Sequence, residues 1–203
     1  DEMRACTFDG TKYIYLPDLL SAEQDIAARL GELATFPTES PKTLESDIRV
    51  LELTQGFEYA PLQREAIRLA LSSRVMVLTG GPGTGKTMLQ KALLGIYSRN
   101  HPSKEIVCCA PTGRAARRME QSTGFPASTV HKALGLIAGE DGEYGDPETL
   151  DADLILVDEV SMLDIYLAGD LFDSVKPGSQ LILIGDADQL PSVGPGAVLS
   201  EMI

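Results

Sequence analysis

The chain has 203 residues, of which 43% are hydrophobic, and its formal net charge at pH 7 is −13. This length and apolar content predict one domain of ordinary size with a real core, plus a small accessory piece, and they exclude a disordered chain. The negative charge argues against tight non-specific binding of nucleic acid by this chain alone, because that affinity comes from cations that replace counterions. A local basic patch is still compatible with it.

No apolar run of about 18 residues is present, so the sequence predicts no membrane span. The given sequence does not open with a charged and then apolar leader, so we expect no secretion signal in it. The cysteines are Cys6, Cys108 and Cys109, an odd number without metal-like spacing. Cys108 and Cys109 lie in an apolar run, which favours core packing. These features fit a reducing compartment, so we expect a cytoplasmic protein. The first residue is Asp1 rather than methionine, which we interpret as a sign of a fragment.

Residues 1–58 differ from the rest and are predicted to form an accessory, mainly helical segment. Residues 12–16 alternate like a short strand, and Pro17 then opens a stretch with leucine and isoleucine at helical spacing. A second helix is predicted over residues 41–54, with Gly56 as its stop. We expect this segment to pack on the domain that follows.

From residue 59 onward, apolar runs alternate with helical patterns. The runs are residues 75–79, 106–110, 154–157 and 181–184. The helical stretches that separate these runs are residues 88–98, 114–121, 130–137 and 165–175. Short continuous apolar runs are typical of strands buried on both faces of a parallel sheet. The alternation therefore predicts an α/β domain over residues 59–203, a doubly wound parallel sheet flanked by helices.

Each apolar run is followed at once by a polar or glycine-rich cluster. The clusters begin at Gly80, Pro111, Asp158 and Gly185. In such sheets ligands bind at the carboxyl ends of the strands, so these clusters predict one binding edge. An acidic, glycine-rich surface connection is expected at residues 139–149.

Residues 80–87 match the pattern G-x-x-x-x-G-K-[ST] in full, between a predicted strand and a predicted helix. Glycines let backbone N–H groups point at phosphate oxygens, and the new helix adds its positive N-terminal end. We expect Lys86 to reach the β- and γ-phosphates of a nucleotide and Thr87 to hold Mg²⁺ through its hydroxyl. The residues predicted to bind the nucleotide here are Gly81, Pro82, Gly83, Thr84, Gly85, Lys86 and Thr87. The full match disfavours the alternative, a glycine-rich turn with an exposed lysine.

Two adjacent acids, Asp158 and Glu159, end the apolar run of residues 154–157. At a strand end in a protein with a phosphate loop, Asp158 is the expected partner of Mg²⁺. Glu159 is then placed to orient or deprotonate the attacking water. A solvated turn would explain adjacent acids alone, but their position favours a site that hydrolyses a nucleotide. ATP is favoured over GTP, because the guanine-reading sequence Asn-Lys-x-Asp is absent.

Five segments resemble, in order, the motifs of RecD-like helicases, superfamily 1 enzymes related to the alpha subunit of exodeoxyribonuclease V. They are residues 80–87 (GGPGTGKT), 110–119 (APTGRAARRM), 128–135 (STVHKALG), 154–164 (LILVDEVSMLD) and 185–196 (GDADQLPSVGPG). The resemblance extends from about Ala60 to the end, and residues 13–30 are similar, less specifically, to the region before the motor in free-standing members. It implies a RecA-like ATPase domain, the first of two, truncated before the second.

The resemblance also implies roles for single residues. Gln63 corresponds to the glutamine that reads adenine, although an exposed helix residue is the alternative. Gln189 corresponds to the glutamine that senses the γ-phosphate and couples it to DNA, with Asp186 in support. With Lys86 and Glu159, Gln189 completes the expected catalytic set.

Two further segments match motifs that contact single-stranded DNA. The matching residues are Pro111, Thr112, Gly113, Arg114, Thr129 and His131. Hydroxyl, amide and guanidinium groups are the usual partners of phosphate. Arg117 and Arg118 either add to this contact or lie on a solvated helix face. His131 is otherwise a neighbour of a helix cap, and Ser128 is the predicted cap.

The implied function is the ATP-hydrolysing motor of a DNA helicase in recombination or repair, moving 5′ to 3′ on single-stranded DNA. Expected partners are this DNA, a second RecA-like domain and other subunits of a repair complex, with no membrane. We expect this chain alone to bind Mg–ATP with little turnover or unwinding. Two alternatives stay open: a nucleotide-binding switch or scaffold subunit, which would not need Glu159, and a small-molecule kinase, which would need an arginine-rich lid.

Overall fold

The structure, a computed structural model, describes residues 3–136 and 145–203. Its strands are β1 (Arg4–Phe8), β2 (Thr11–Tyr15), β3 (Val75–Thr79), β4 (Ile106–Ala110), β5 (Ala127–Thr129), β6 (Leu154–Val157) and β7 (Gln180–Gly185). Its helices are α1 (Pro17–Ala34), α2 (Leu44–Gln55), α3 (Pro61–Ser72), α4 (Lys86–Asn100), α5 (Gly113–Thr123), α6 (Val130–Ala133), α7 (Ile165–Ser174) and α8 (Val198–Met202). A 3₁₀ helix lies at Val160–Met162. No helix in the described part of the chain is long and apolar enough to cross a membrane.

Strands β3 to β7 form one parallel sheet in the order β3-β7-β6-β4-β5. Every residue of β6 and β7 is buried, because both faces of the sheet are covered. Side chains alternate between the faces: Ile155 and Val157 join the core with α1 and α7, while Leu154 and Leu156 join the core with α2, α3 and α4. The predicted α/β fold with a parallel sheet flanked by helices is confirmed.

The adjacent cysteines of β4 follow the same alternation. Cys108 lies in one core and Cys109 in the other. Burial raises the pKa of each thiol to about 12, which keeps both groups neutral and unreactive at neutral pH. Their environment agrees with the predicted packing role.

The accessory residues pack on both faces of the sheet. The hairpin of β1 and β2 precedes α1, which lies against α7 and buries Leu33 in the core. The Arg29 guanidinium donates to the carbonyl oxygen of Val175 at 2.6 Å, which satisfies a backbone group at the end of α7. On the opposite face, α2 buries Leu44 and Ile48 beside α4. Strand β1 was not predicted, and the boundary between residues 58 and 59 stays a prediction.

Two predicted helices differ from the structure by three or more residues at one end. The helix expected over residues 130–137 ends at Ala133, because Gly135 has a φ of 68° and turns the backbone into the left-handed region. The helix expected from Pro41 begins at Leu44, after a turn in which the Leu44 N–H donates to the Pro41 carbonyl at 3.0 Å. Residues 137–144, which hold much of the predicted acidic connection, lie outside the described residues.

Candidate functional site

The carboxyl ends of the five parallel strands bring the predicted site segments that follow them to one edge of the sheet. Three adjacent strands, β3, β7 and β6, precede the segments predicted for the nucleotide, and we call this the nucleotide half. The next two strands, β4 and β5, precede the segments predicted for DNA, and we call this the DNA half. The two halves meet where β6 pairs with β4.

The loop after β3 is shaped by two glycines with positive φ, Gly83 at 77° and Gly85 at 92°. Such angles are accessible to glycine at little cost and let the loop turn into α4, which begins at Lys86. The Lys86 ammonium lies within this loop, where it donates to the carbonyl oxygens of Gly80 and, at 3.0 Å, Gly81. The predicted phosphate-binding lysine is therefore held at the centre of the loop.

A buried carboxylate, Asp186, joins the loop after β3 to the loop after β7. Its side chain is 2% exposed, and its Oδ2 lies 3.7 Å from the Lys86 Nζ. The same Oδ2 accepts from the Gln189 Nε2 at 3.4 Å, and Oδ1 accepts from the Asp188 N–H at 3.1 Å. A buried charge needs such partners, so Asp186 holds two of the three predicted catalytic side chains, Lys86 and Gln189. The sequence indicated only a supporting role, from its place at a strand end.

Gln63, predicted to read adenine, is attached to the phosphate loop. Its Nε2 donates to the Thr84 carbonyl at 3.0 Å, and its Oε1 accepts from the Ala60 N–H at 3.0 Å. One N–H and one lone pair of the amide are left beyond these bonds. A planar amide that offers one donor and one acceptor can pair with adenine N7 and N6, so the geometry is compatible with the predicted role.

The two acids after β6 differ in their backbone. The Asp158 N–H donates to the Cys109 carbonyl at 2.9 Å and so fixes the end of the strand against β4. Glu159 follows with a φ of 53°, a left-handed conformation that costs a residue with a Cβ about 1–2 kcal/mol. Strain of this kind concentrates at functional sites, which supports the prediction for Glu159. Its carboxylate is 24% exposed and lies 3.6 Å from the Arg118 guanidinium.

The two segments of the DNA half lie against each other. Thr112 caps α5 by accepting from the Ala115 N–H at 3.2 Å, and Thr129 caps α6 by accepting from the Lys132 N–H at 3.1 Å. A Cβ placed on Gly113 would lie 3.9 Å from the Thr129 methyl carbon. Each hydroxyl is used as an acceptor in its cap, which leaves its O–H to donate to a phosphate.

The other residues predicted for DNA surround these caps. Pro111 is half-buried and Arg114 is exposed in the first turn of α5. His131 is half-buried at the second position of α6. The prediction that Ser128 caps α6 is wrong. Its hydroxyl donates to the Thr129 carbonyl at 3.2 Å, and the side chain of Thr129 caps the helix.

A comparison with protein families decides the affiliation of the chain. The model of a family described as an AAA domain matches residues 63–195, more than half of the sequence. The chain belongs to the AAA domain family. Within this AAA domain, the matched range includes the phosphate loop, both acids and most of the loop after β7.

Relatives of this AAA domain carry the RecD name. The ATP-dependent RecD2 DNA helicase of Deinococcus radiodurans is 37% identical over 191 residues, which cover 94% of this chain and 26% of that protein. The RecBCD enzyme subunit RecD of Mycobacterium tuberculosis is 36% identical in an alignment 213 residues long. That alignment covers 95% of this chain and 36% of that protein. The resemblance to RecD-like helicases is confirmed, and the chain spans about a quarter to a third of these relatives.

A solved structure supports the fold of the AAA domain alone. The UvsW helicase from bacteriophage T4 superposes with a TM-score of 0.51 at 12% sequence identity, over 82% of this chain and 60% of that chain. The RecA-like fold inferred from the motifs is confirmed.

The residues of this AAA domain fit a magnesium nucleotide. The Lys86 side chain is 19% exposed, so it is not sealed from solvent although its ammonium lies within the loop. Thr87 is exposed on the first turn of α4, and Asp158 is half-buried at the end of β6. A hydroxyl and a carboxylate are the hard oxygen donors that Mg²⁺ takes, usually together with phosphates of the substrate.

The loop of the AAA domain gives a first prediction, for Gly85→Ala. A Cβ there would lie 2.7 Å from the Gln63 Nε2, at a φ of 92°. We expect the substitution to lower the free energy of unfolding by about 1–2 kcal/mol and to weaken nucleotide binding, because the backbone is strained and Gln63 is displaced. Urea unfolding and titration with a fluorescent ATP analogue measure the two effects.

Gly81→Ala is the matched control for stability in the same loop. Gly81 has no positive φ, and a Cβ there would meet no atom within 4 Å. We expect its unfolding free energy to change by less than about 0.5 kcal/mol. Equal losses in the two variants would contradict the role assigned to the backbone at Gly85.

Proposed function

We propose that this chain is the ATP-binding and hydrolysing motor domain of a RecD-like DNA helicase that acts in DNA recombination or repair. In this proposal residues 59–203 form the motor domain and residues 1–58 form the accessory segment. One observation carries the proposal: the nucleotide half and the DNA half are adjacent on the edge of one parallel sheet. A motor needs such proximity, since nucleotide hydrolysis must alter the grip on DNA.

The nucleotide half would bind and hydrolyse ATP. Lys86 binds the β- and γ-phosphates together with the N–H groups of the loop and of the first turn of α4. Thr87 and Asp158 would hold Mg²⁺, which neutralises charge on the phosphates when it is bound. Glu159 accepts a proton from the attacking water, and Gln189 senses the γ-phosphate. The contact of both Lys86 and Gln189 with buried Asp186 supports their joint action.

The DNA half would bind the backbone of single-stranded DNA. The hydroxyl groups of Thr112 and Thr129 donate hydrogen bonds to phosphates, and Arg114 adds a charged contact. Pro111, Gly113 and His131 complete the contact surface. The chain carries a net charge of −13, so we expect other parts of the protein to contribute to DNA affinity. Movement from 5′ to 3′ is proposed from the family resemblance and not from any residue.

The relatives suggest further partners. One is named a subunit of the RecBCD enzyme and is much longer than this chain. We propose that the full-length protein that contains this domain supplies a second RecA-like domain and works with other subunits in a repair complex. ATP would close the cleft between the two domains, and hydrolysis would reopen it, so that grip on DNA alternates.

Hydrolysis of ATP by the full-length protein, with and without single-stranded DNA, tests the proposal. We expect strong stimulation by DNA, and we expect its loss in Lys86→Ala. Lys91→Ala is the matched control, because Lys91 is an exposed lysine on the same helix and should leave the rate unchanged. Nucleotide binding that depends on Lys86 without stimulation by DNA would favour the switch or scaffold subunit and remove the DNA assignments.

A further inference from the structure

We propose that Arg118 is a positioning residue that holds the Glu159 carboxylate away from the attacking water until single-stranded DNA attracts its guanidinium. The inference rests on the proposed function and adds to it the link by which DNA stimulates hydrolysis. The link is a single ion pair across the boundary between the two halves of the sheet edge.

The pair joins elements that follow adjacent strands. Arg118 lies on α5, which follows β4, and Glu159 follows β6, which pairs with β4. The Arg118 Nη1 is 3.6 Å from the Glu159 Oε1, with the side chains 64% and 24% exposed. One end of the contact therefore belongs to the helix of the DNA half and the other to the predicted base of the nucleotide half.

The backbone at Glu159 is fixed, so the position of the carboxylate depends on rotation of the side chain. Its φ of 53° sets the direction of the Cβ. The backbone is fixed on both sides, by the bond from the Asp158 N–H to the Cys109 carbonyl at 2.9 Å and by the bond from the Met162 N–H to the Glu159 carbonyl at 3.0 Å. What remains free is rotation within the Glu159 side chain, so a partner at Oε1 determines where the carboxylate lies.

Arg118 is also exposed on the face of α5 that a phosphate would reach. Ala115, Ala116 and Met119 are buried on the opposite face. Arg114 lies four residues before Arg118, so the two side chains start from the same exposed face of the helix. Guanidinium pairs readily with phosphate, often through two parallel bonds. An exposed ion pair is weak, so a DNA phosphate beside Arg114 can take Arg118 from Glu159.

The release mechanism predicts opposite effects of removing Arg118 on the basal rate of hydrolysis and on its stimulation by DNA. Without DNA, the ion pair restrains Glu159 and the basal rate is low. With DNA, Arg118 turns to the phosphate and Glu159 is free to orient the water. Removal of Arg118 should therefore raise the basal rate and lower the stimulation. A residue that only contacted DNA would leave the basal rate unchanged.

Steady-state ATPase assays of the full-length protein test this. For Arg118→Ala we expect kcat without DNA to rise about two- to fivefold, the range that an exposed ion pair can supply, with KM for ATP unchanged. The stimulation ratio at saturating DNA should fall by a similar factor. Arg118→Lys keeps a cation near Glu159 and should restore the low basal rate.

Lys104→Ala is the matched control. Lys104 and Asp153 form a 2.6 Å ion pair with side chains 50% and 23% exposed, just before β4 and β6 begin. The Lys104→Ala variant therefore removes a similarly exposed ion pair at the opposite ends of the same two strands. Its basal rate should equal that of the wild type.

The outcomes separate this inference from the proposed function. A basal kcat in Arg118→Ala that is equal to or below the wild-type value, while DNA still stimulates the wild type, overturns the inference alone. A wild-type rate that DNA does not change contradicts the proposed function itself, and the release mechanism is then overturned with it.

Discussion

Glu159→Gln is expected to lower ATP turnover by about 10²–10⁴-fold, the contribution that a general base usually makes. Glutamine keeps the size of the side chain but cannot accept a proton from water at neutral pH. Affinity for Mg–ATP should not change, since Lys86 and the loop N–H groups bind the phosphates. The variant should therefore bind the nucleotide without hydrolysing it.

The measurement is single-turnover hydrolysis by the full-length protein with single-stranded DNA, beside binding of a fluorescent ATP analogue. Glu120→Gln is the matched control, because Glu120 is exposed on α5 and the substitution removes one carboxylate from the same region. Its turnover should equal that of the wild type. Turnover in Glu159→Gln that stays within a few-fold of the wild type would mean that another group activates the water.

Much of the fold followed from local patterns in the sequence. The apolar runs at residues 75–79, 106–110 and 154–157 have the same bounds as β3, β4 and β6, because the strands of a parallel sheet that helices cover on both faces are nearly continuous apolar runs. Strand β5 was missed, since Ala127–Thr129 has three residues and no apolar signal of its own. It is a strand because it pairs with β4, and a local pattern cannot reveal that pairing.

The site divides in the same way between local motifs and distant contacts. The phosphate loop and the acids at residues 158–159 are each contiguous in sequence, so the sequence alone is enough to predict them. The contact of Lys86 with Asp186 joins residues far apart in the chain, as does the ion pair of Arg118 with Glu159. Nothing in either segment alone reveals such a partner. The contacts arise because β3 pairs with β7 and β4 pairs with β6.

The second large effect concerns the 203-residue chain by itself. We expect it to bind Mg–ATP but to hydrolyse it about 10³–10⁵-fold more slowly than the full-length protein with DNA, the contribution of an arginine supplied across such a site. The resemblance to RecD-like helicases implies that this arginine comes from a second RecA-like domain.

Turnover numbers of the two proteins at saturating Mg–ATP measure this difference, with nucleotide binding measured for both. Comparable affinities with unequal turnover would assign the deficit to the chemical step rather than to a poorly formed loop. Lys86→Ala in the short chain sets the background, because it removes the ammonium that binds the phosphates. Equal turnover in the two proteins would mean that the groups at this sheet edge suffice for hydrolysis, and a second domain would then serve movement along DNA rather than chemistry.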